Sequence, residues 1–343
     1  MTSDTKPPVR IGLIGAGRIG IHHATALARH VPNADLVAVA DAVEEPAHRL
    51  AGDLGVRAAG IEEMLDETSI EAVVITASST AHAELVARSA AAGKAVFCEK
   101  PMAMSVAEAD AAIAACREAG VPLQVGFNRR FATDFAAAHA VIAGGGIGSP
   151  QLLRSLTRDP GLADPSGVPP WTIFTQTLIH DFDALLWLNS GAAAVEVHAF
   201  ADALVAPEFK DAGLLDTALV TIRFTNGALA TAEASFSASY GYDVRGEVFG
   251  SAGMVTMGSP APHTMQHWSA EGVTRRTVHS DTELMHDAYV GEFAAFCDTV
   301  RHGVPVAVGG ADAKVALEVA LAAIASVEQG RPVRVDDVRA GVA

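Results

Sequence analysis

The sequence predicts an α/β protein: an N-terminal doubly wound parallel sheet of the Rossmann type, then an α+β domain carrying a large, mainly antiparallel open sheet. Three observations predict it. Short β-like runs alternate with alanine-rich helical stretches over roughly the first third of the chain, the grammar of a parallel sheet covered on both faces. The glycine turn GAGRIG stands between the first run and the first helix. Beyond AGGGIGSP (143–150) the pattern becomes long alternating β runs broken by turn signals.

In order, the strands are expected at VRIGLIG (9–15), LVAVAD (36–41), IEAVVITAS (70–78), AVFCEK (95–100) and PLQVGF (122–127), with a weak one near Val56. Helical patterns fill the intervals at 18–30, 44–54, 61–67, 80–92 and 105–119. In the second half, LLRSLTR reads as a strand. It precedes a Pro/Gly-rich loop from Asp159 to Pro170 and a helix over Phe174 to Leu188. ALVTIRF-TNG-ALATAEASFS is a hairpin marked by Asn226-Gly227, VRGEVFG-SAG-MVTMG a second, and a third centres on AEG at 270–272. Helices over about 284–302 and 310–329 close the chain. The expected domains are 1–127, to which a C-terminal helix can return, and 128–343, the substrate-binding and oligomerisation domain.

Composition narrows the function. The chain has 343 residues and is 50% hydrophobic, enough for two packed cores. Forty acidic against 24 basic residues, spread along the chain, give a net charge of -16 that repels phosphate backbones, so neither nucleic acid nor an anionic membrane is an expected partner. No apolar run is long enough to span a membrane, and MTSDTKPPVR has no signal-peptide core, so a cytoplasmic location is expected. Cys98, Cys116 and Cys297 are widely spaced, with no CxxC, and predict neither a disulfide framework nor a thiolate metal site.

The glycine turn supplies the first chemistry. Gly15, Gly17 and Gly20, with Ala16, Arg18 and Ile19 between them, permit a tight turn whose helix N-terminus presents free N–H groups to a pyrophosphate. Asp41 ends the second strand, where a carboxylate accepts from both adenosine ribose hydroxyls. It would repel a 2'-phosphate, and Ala42 and Val43 offer no arginine, so NAD is favoured over NADP. Glu99, Lys100 and Pro101 fall at the carboxyl end of the fifth strand, the ligand-binding edge of such a sheet. Lysine is scarce here, and one at that edge can orient and polarise a substrate hydroxyl. On a 3.6-residue period, Gln176, Asp183 and Trp187 share the side of His180, whereas Phe174, Leu178, Phe182, Leu185 and Leu186 lie opposite, so the helix has either a solvated polar face or an active-site wall.

The order GAGRIG, Asp41, VFCEKP and TLIHDFDALLWL, with QVGFNRRF, TRDP, YGYDVRGEVFG and AYVGEF between and after, resembles the Gfo/Idh/MocA oxidoreductases over almost the whole chain, and among them the myo-inositol 2-dehydrogenases. The resemblance implies a site between the two domains and homo-oligomers, tetramers or dimers, joined through the C-terminal sheet. It implies that Lys100 contacts substrate and nicotinamide and that His180 removes the hydroxyl proton. It places Arg129, Asp159, Thr177, Tyr240 or Tyr242, and Tyr289 around the polyol, and Thr76, Ser78, His82 and Glu99 near the cofactor. The implied reaction is NAD-dependent oxidation of a secondary hydroxyl of an inositol or related cyclic polyol or sugar.

Gln176 departs from the aspartate that many inositol dehydrogenases carry one turn before the histidine. A carboxylate there would stabilise the imidazolium, and glutamine brings no charge, although Asp183 lies on the same face. Three consequences stand open: a different substrate, a slower enzyme for the same reaction, or a catalytically silent NAD-binding regulator. Elsewhere, His263 and His267 are read as surface histidines and not as metal ligands, and His22 and His23 as packing or local polar contacts.

Overall fold

The computed structural model describes residues 6–161 and 165–342, so residues 162–164 of the predicted Pro/Gly-rich loop and 1–5 of the N-terminal stretch lie outside the described residues. Two compact units emerge, residues 1–131 with 287–314, and residues 132–286 with 315–343.

The first unit begins β1 (Val9–Ile14), α1 (Arg18–Arg29), β2 (Ala34–Ala40), α2 (Glu44–Leu54), β3 (Arg57–Ala58) and α3 (Ile61–Asp66). It continues β4 (Ala72–Ile75), α4 (Ser79–Ala91), β5 (Ala95–Cys98), α5 (Val106–Ala119) and β6 (Leu123–Val125). The sheet order is β3-β2-β1-β4-β5-β6, with every pair parallel. β4 and β5 are continuous apolar runs with no alternation, because helices cover both faces: Ala72 to Ile75 are all fully buried. Strand order reverses between β1 and β4, and a doubly wound sheet binds ligands outside the strand ends at such a point. Local chemistry sets the helix limits. Ser105 Oγ accepts from Glu108 N and the Glu108 carboxylate accepts from Ser105 N, starting α5, and Gly120 stops it at φ 68°.

The second unit contains α6 (Thr133–Ala143), β7 (Pro150–Arg158), a π-helical turn (Ile173–Leu178), α7 (Ile179–Leu188), β8 (Ala194–Asp202), β9 (Thr217–Phe224) and β10 (Leu229–Ser235). Next come β11 (Asp243–Gly250), β12 (Met254–Met257), β13 (His267–Ser269), β14 (Gly272–Thr274) and α8 (Asp281–Leu284). The chain then forms α9 (His286–His302), α10 (Gly310–Gln329), β15 (Val333–Arg334) and α11 (Val335–Arg339). From residue 287 to 314 it belongs to the first unit, where Phe293 and Phe296 of α9 pack against Phe97 of β5 at ring distances of 4.7 and 5.8 Å.

The second sheet runs β12-β11-β7-β10-β9-β8-β15. It is mainly antiparallel, as expected, but β7 and β10 pair in parallel, with Ser155 opposite Ala232. The expected hairpins form at β9–β10, β11–β12 and β13–β14, and Gly227 in the first turn sits at φ 86°. Alternation sorts the faces. Ala218, Val220, Ile222 and Phe224 are buried, whereas Leu152, Phe200, Leu219, Leu229 and Phe249, on the other face, are each at least 43% exposed. Among the described residues no helix is long and apolar enough to cross a membrane.

Candidate active site

The glycine turn assembles a cradle in the first unit. Gly15, Gly17, Arg18, Ile19, Asp41, Thr76, Ala77 and Ser78 line one cavity of about 320 Å³ at the carboxyl ends of β1, β2 and β4. The three glycines differ in their surroundings. At Gly15, φ is 111° and a Cβ would lie 2.5 Å from Ala77 N; at Gly20 it would lie 1.9 Å from Gly15 O. Gly17 faces open space, with nothing within 4 Å of its Cβ position. The first glycine thus makes the turn, the third lets α1 close on it, and the second leaves room for a ligand to approach the backbone. Thr76 Oγ1 donates to Gly15 O at 2.7 Å and fixes the turn from β4. Asp41 Oδ2 accepts from Ala16 N at 2.6 Å and Oδ1 from Val43 N at 2.9 Å, which holds the carboxylate at the end of β2. A dinucleotide fits this donor set: backbone N–H groups at a helix N-terminus for the pyrophosphate, and a carboxylate for the ribose.

Two residues expected near the cofactor, His82 and Glu99, are held by contacts within the protein. His82 is 2% exposed, and its ring nitrogens face Pro101 O at 2.8 Å and Ala77 O at 3.0 Å, so it braces the loops after β4 and β5. Burial, outweighing those contacts, holds its pKa below the ordinary histidine value. Glu99 also points inward: Oε1 lies 2.6 Å from His23 Nε2 and Oε2 accepts from Lys100 N at 3.0 Å. Burial works to raise the Glu99 carboxyl, but the His23 hydrogen bond and the charges around it leave it below the usual range. Lys100 itself is half-buried immediately after β5, its backbone pinned by Glu99. Arg129 is buried in a 3-10 turn (Asn128–Phe131) after β6. Tyr289, expected around the polyol, is 6% exposed, with its ring against His22 at 4.9 Å and His23 at 5.2 Å.

In the second unit the helix holding His180 differs from the expected regular α-helix. Trp171 adopts φ 62°, a strained value for a bulky residue, and the six residues after Thr172 follow a π-helical path before α7 begins. Such insertions often occur at functional sites. Gln176 and Thr177 lie on the π turn and His180 in the first turn of α7; all three are half-buried. The polar side is not a fully solvated face: Asp183 is 1% exposed, and Gln176, His180 and Trp187 are half-buried. Asp181 accepts from Ser155 Oγ at 2.5 Å and Thr157 Oγ1 at 2.7 Å, which anchors α7 to β7. Trp187 stacks on His139 of α6 at 4.1 Å and 6°. Sequence reasoning passed over Asp181, although an acid directly after the histidine, on the core side, was a visible anomaly.

Tyr240 is set apart from this helix. It is 47% exposed, its hydroxyl donates to Asp243 Oδ2 at 2.8 Å, and with Arg158, Phe200 and Leu219 it lines a cavity of about 860 Å³ on the exposed sheet face. Ser155 and Thr157, which meet α7, point to the opposite face from Arg158 by strand alternation. Tyr242 is half-buried, with its N–H donating to Val278 O, and Asp159 N donates to Ser235 O at 2.9 Å. His263 and His267 are exposed.

A Rossmann unit with a glycine turn and a carboxylate at the end of its second strand, followed by an open-sheet domain, is the architecture of an NAD-dependent oxidoreductase. Residues 9–127 match the family described as "Oxidoreductase family, NAD-binding Rossmann fold", and residues 135–256 match the GFO/IDH/MocA C-terminal domain. The chain belongs to the GFO/IDH/MocA oxidoreductase family. It is 37% identical to a myo-inositol 2-dehydrogenase of Thermotoga maritima, covering 96% of this chain and 99% of that one. It is 35% identical to a scyllo-inositol 2-dehydrogenase (NAD(+)) of Bacillus subtilis, over 97% and 98%. A solved scyllo-inositol dehydrogenase of Lactobacillus casei, with bound NAD(H) and scyllo-inositol, superposes with a TM-score of 0.91 at 26% identity, covering 96% and 99%.

Proposed function

We propose that the protein oxidises a secondary hydroxyl of an inositol, or a related cyclic polyol or sugar, to a ketone. The observation that carries this reading is the position of Lys100, pinned directly after β5 at the strand edge where β1, β2 and β4 build the dinucleotide cradle. Names of full-length relatives supply the substrate class. NAD, when bound, supplies the hydride acceptor. Lys100 holds and polarises the substrate hydroxyl, and His180 accepts its proton. Gln176, one turn before His180, orients by hydrogen bonding without adding charge. Arg129, Asp159 and Thr177 are proposed to line the substrate pocket, and Tyr242 is favoured over Tyr240 because Tyr240 occupies the sheet face away from α7.

The exposed apolar sheet face is proposed to join subunits into a dimer or tetramer of a cytoplasmic enzyme. A second reading, a catalytically silent NAD-binding regulator, is favoured by Gln176 alone.

Purified protein is expected to reduce NAD, and NADP far less, with at least one member of a panel of inositol isomers and pyranoses. Gln176→Asp is expected to change kcat by about tenfold or more on that substrate, because a carboxylate would stabilise the His180 imidazolium. Silence across the panel, with NAD binding intact by calorimetry, favours the regulator.

A further inference from the structure

Glu292 on α9 is unusual among the buried acids. It is 0% exposed, and among the described residues neither of its carboxyl oxygens has a hydrogen-bond partner. Asp181, Asp216, Asp243 and Glu318 are equally buried, but each accepts from hydroxyl, backbone or guanidinium donors. Glu292 also has company: one ligand-type atom from each of His23, Glu99 and Glu292 lies within 4.8 Å of the others. Its own backbone carbonyl accepts from Gln124 Nε2 at 2.8 Å, which fixes this turn of α9 against β6.

Two carboxyl groups this close, away from water, do not both keep a negative charge. Which one ionises follows from the donors. Glu99 accepts from Lys100 N and lies 2.6 Å from His23 Nε2, whereas Glu292 receives neither. His23 Nδ1 has no partner among the described residues, which suits a neutral ring carrying its proton on Nε2 toward Glu99. Among the described residues, the charged and titratable groups bearing on the pair are Lys100, whose positive charge acts on both acids, His82 and the Cys98 thiol on the Glu99 side, and His22 and Tyr289 around His23. A divalent cation would need His23 Nε2 and Glu99 Oε1, which already bond each other, and would be repelled by Lys100.

We propose that Glu292 is a buried carboxylic acid, protonated at the working pH of the enzyme, and that with His23 it confines one negative charge to Glu99, which positions Lys100 through its backbone N–H. Burial and the Glu99 charge agree with this, pushing Glu292 well above the ordinary carboxylate range. The kinetic consequence rests on the role given to Lys100 above; the protonation state does not.

Infrared spectra of the full-length protein at neutral pH test the protonation directly. A protonated-carboxyl C=O band is expected in the wild type, where surface acids are ionised, and is expected to be absent in Glu292→Gln. Stability gives a second reading. A carboxyl raised on folding favours the folded state at low pH and loses that contribution as pH climbs from the ordinary carboxylate range through its raised value, so over that climb the wild-type melting temperature should fall more than that of Glu292→Gln. In the kinetic arm, Glu99→Gln is expected to lower kcat about tenfold with little change in KM, the signature of misplaced chemistry with binding retained. Absence of the carboxyl band in the wild type, or a stoichiometric metal lost in Glu292→Gln, would overturn the proposal. If no substrate is turned over, the dehydrogenase reading fails while the infrared result still decides the state of Glu292.

Discussion

Lys100→Ala and His180→Ala are each expected to lower kcat by about 10² to 10⁴-fold, the range removed with a positioned acid–base group, while NAD affinity stays within about threefold. Both side chains are half-buried, and neither is among the core residues, so truncation should leave the fold intact. The Lys100 backbone would remain held by Glu99 through an N–H that alanine also has. If both groups act on the same hydroxyl proton, the double variant should be little slower than either single one, because neither assists once the other is missing. Steady-state kinetics with calorimetric NAD titration measures both quantities. Normal turnover by either single variant would remove that residue from its proposed role.

Gly20→Val should do the greatest structural damage. A Cβ at Gly20 would stand 1.9 Å from Gly15 O and 2.9 Å from Thr76 Oγ1, and the turn has no slack because Thr76 Oγ1 also holds Gly15 O. The expected cost is about 3 kcal/mol or more of stability, together with loss of NAD binding, as α1 is forced away from β1. Gly17→Ala separates the two effects. Its φ is -76° and its Cβ direction is open, so stability should hardly change, but the methyl group enters the cradle and should weaken NAD by roughly tenfold or more. Thermal melts and NAD calorimetry on the pair distinguish a packing glycine from an approach glycine.

The contrast between these glycines shows what was legible. Periodicity and turn chemistry are local, so the alternating elements of the first unit, the GAGRIG turn and the Asn226-Gly227 hairpin could be read directly from residues. The Ala-rich α6 and the strand β8 went unread. TDFAAAHAVIA carries little amphipathic signal, and the register of β8 shifts between Ala194 and Glu196. A 3.6-residue wheel placed Gln176 and His180 on one face, but the π turn and the left-handed Trp171 depend on tertiary packing that the wheel does not contain. The wheel also left Asp181 without a role, because its partners Ser155 and Thr157 lie on a strand more than twenty residues earlier. The same limit hid His23, Glu99 and Glu292, which are distributed over α1, the end of β5 and α9.

Hydride transfer from the ring can be followed by incubating the enzyme with NAD and inositols deuterated at every ring carbon, then locating the label. Transfer of one deuterium from the ring to NADH, with a ketone formed and a primary isotope effect on the chemical step, is the predicted result. Bound NAD that stays unreduced with every inositol, or NADH that carries no deuterium, would contradict it.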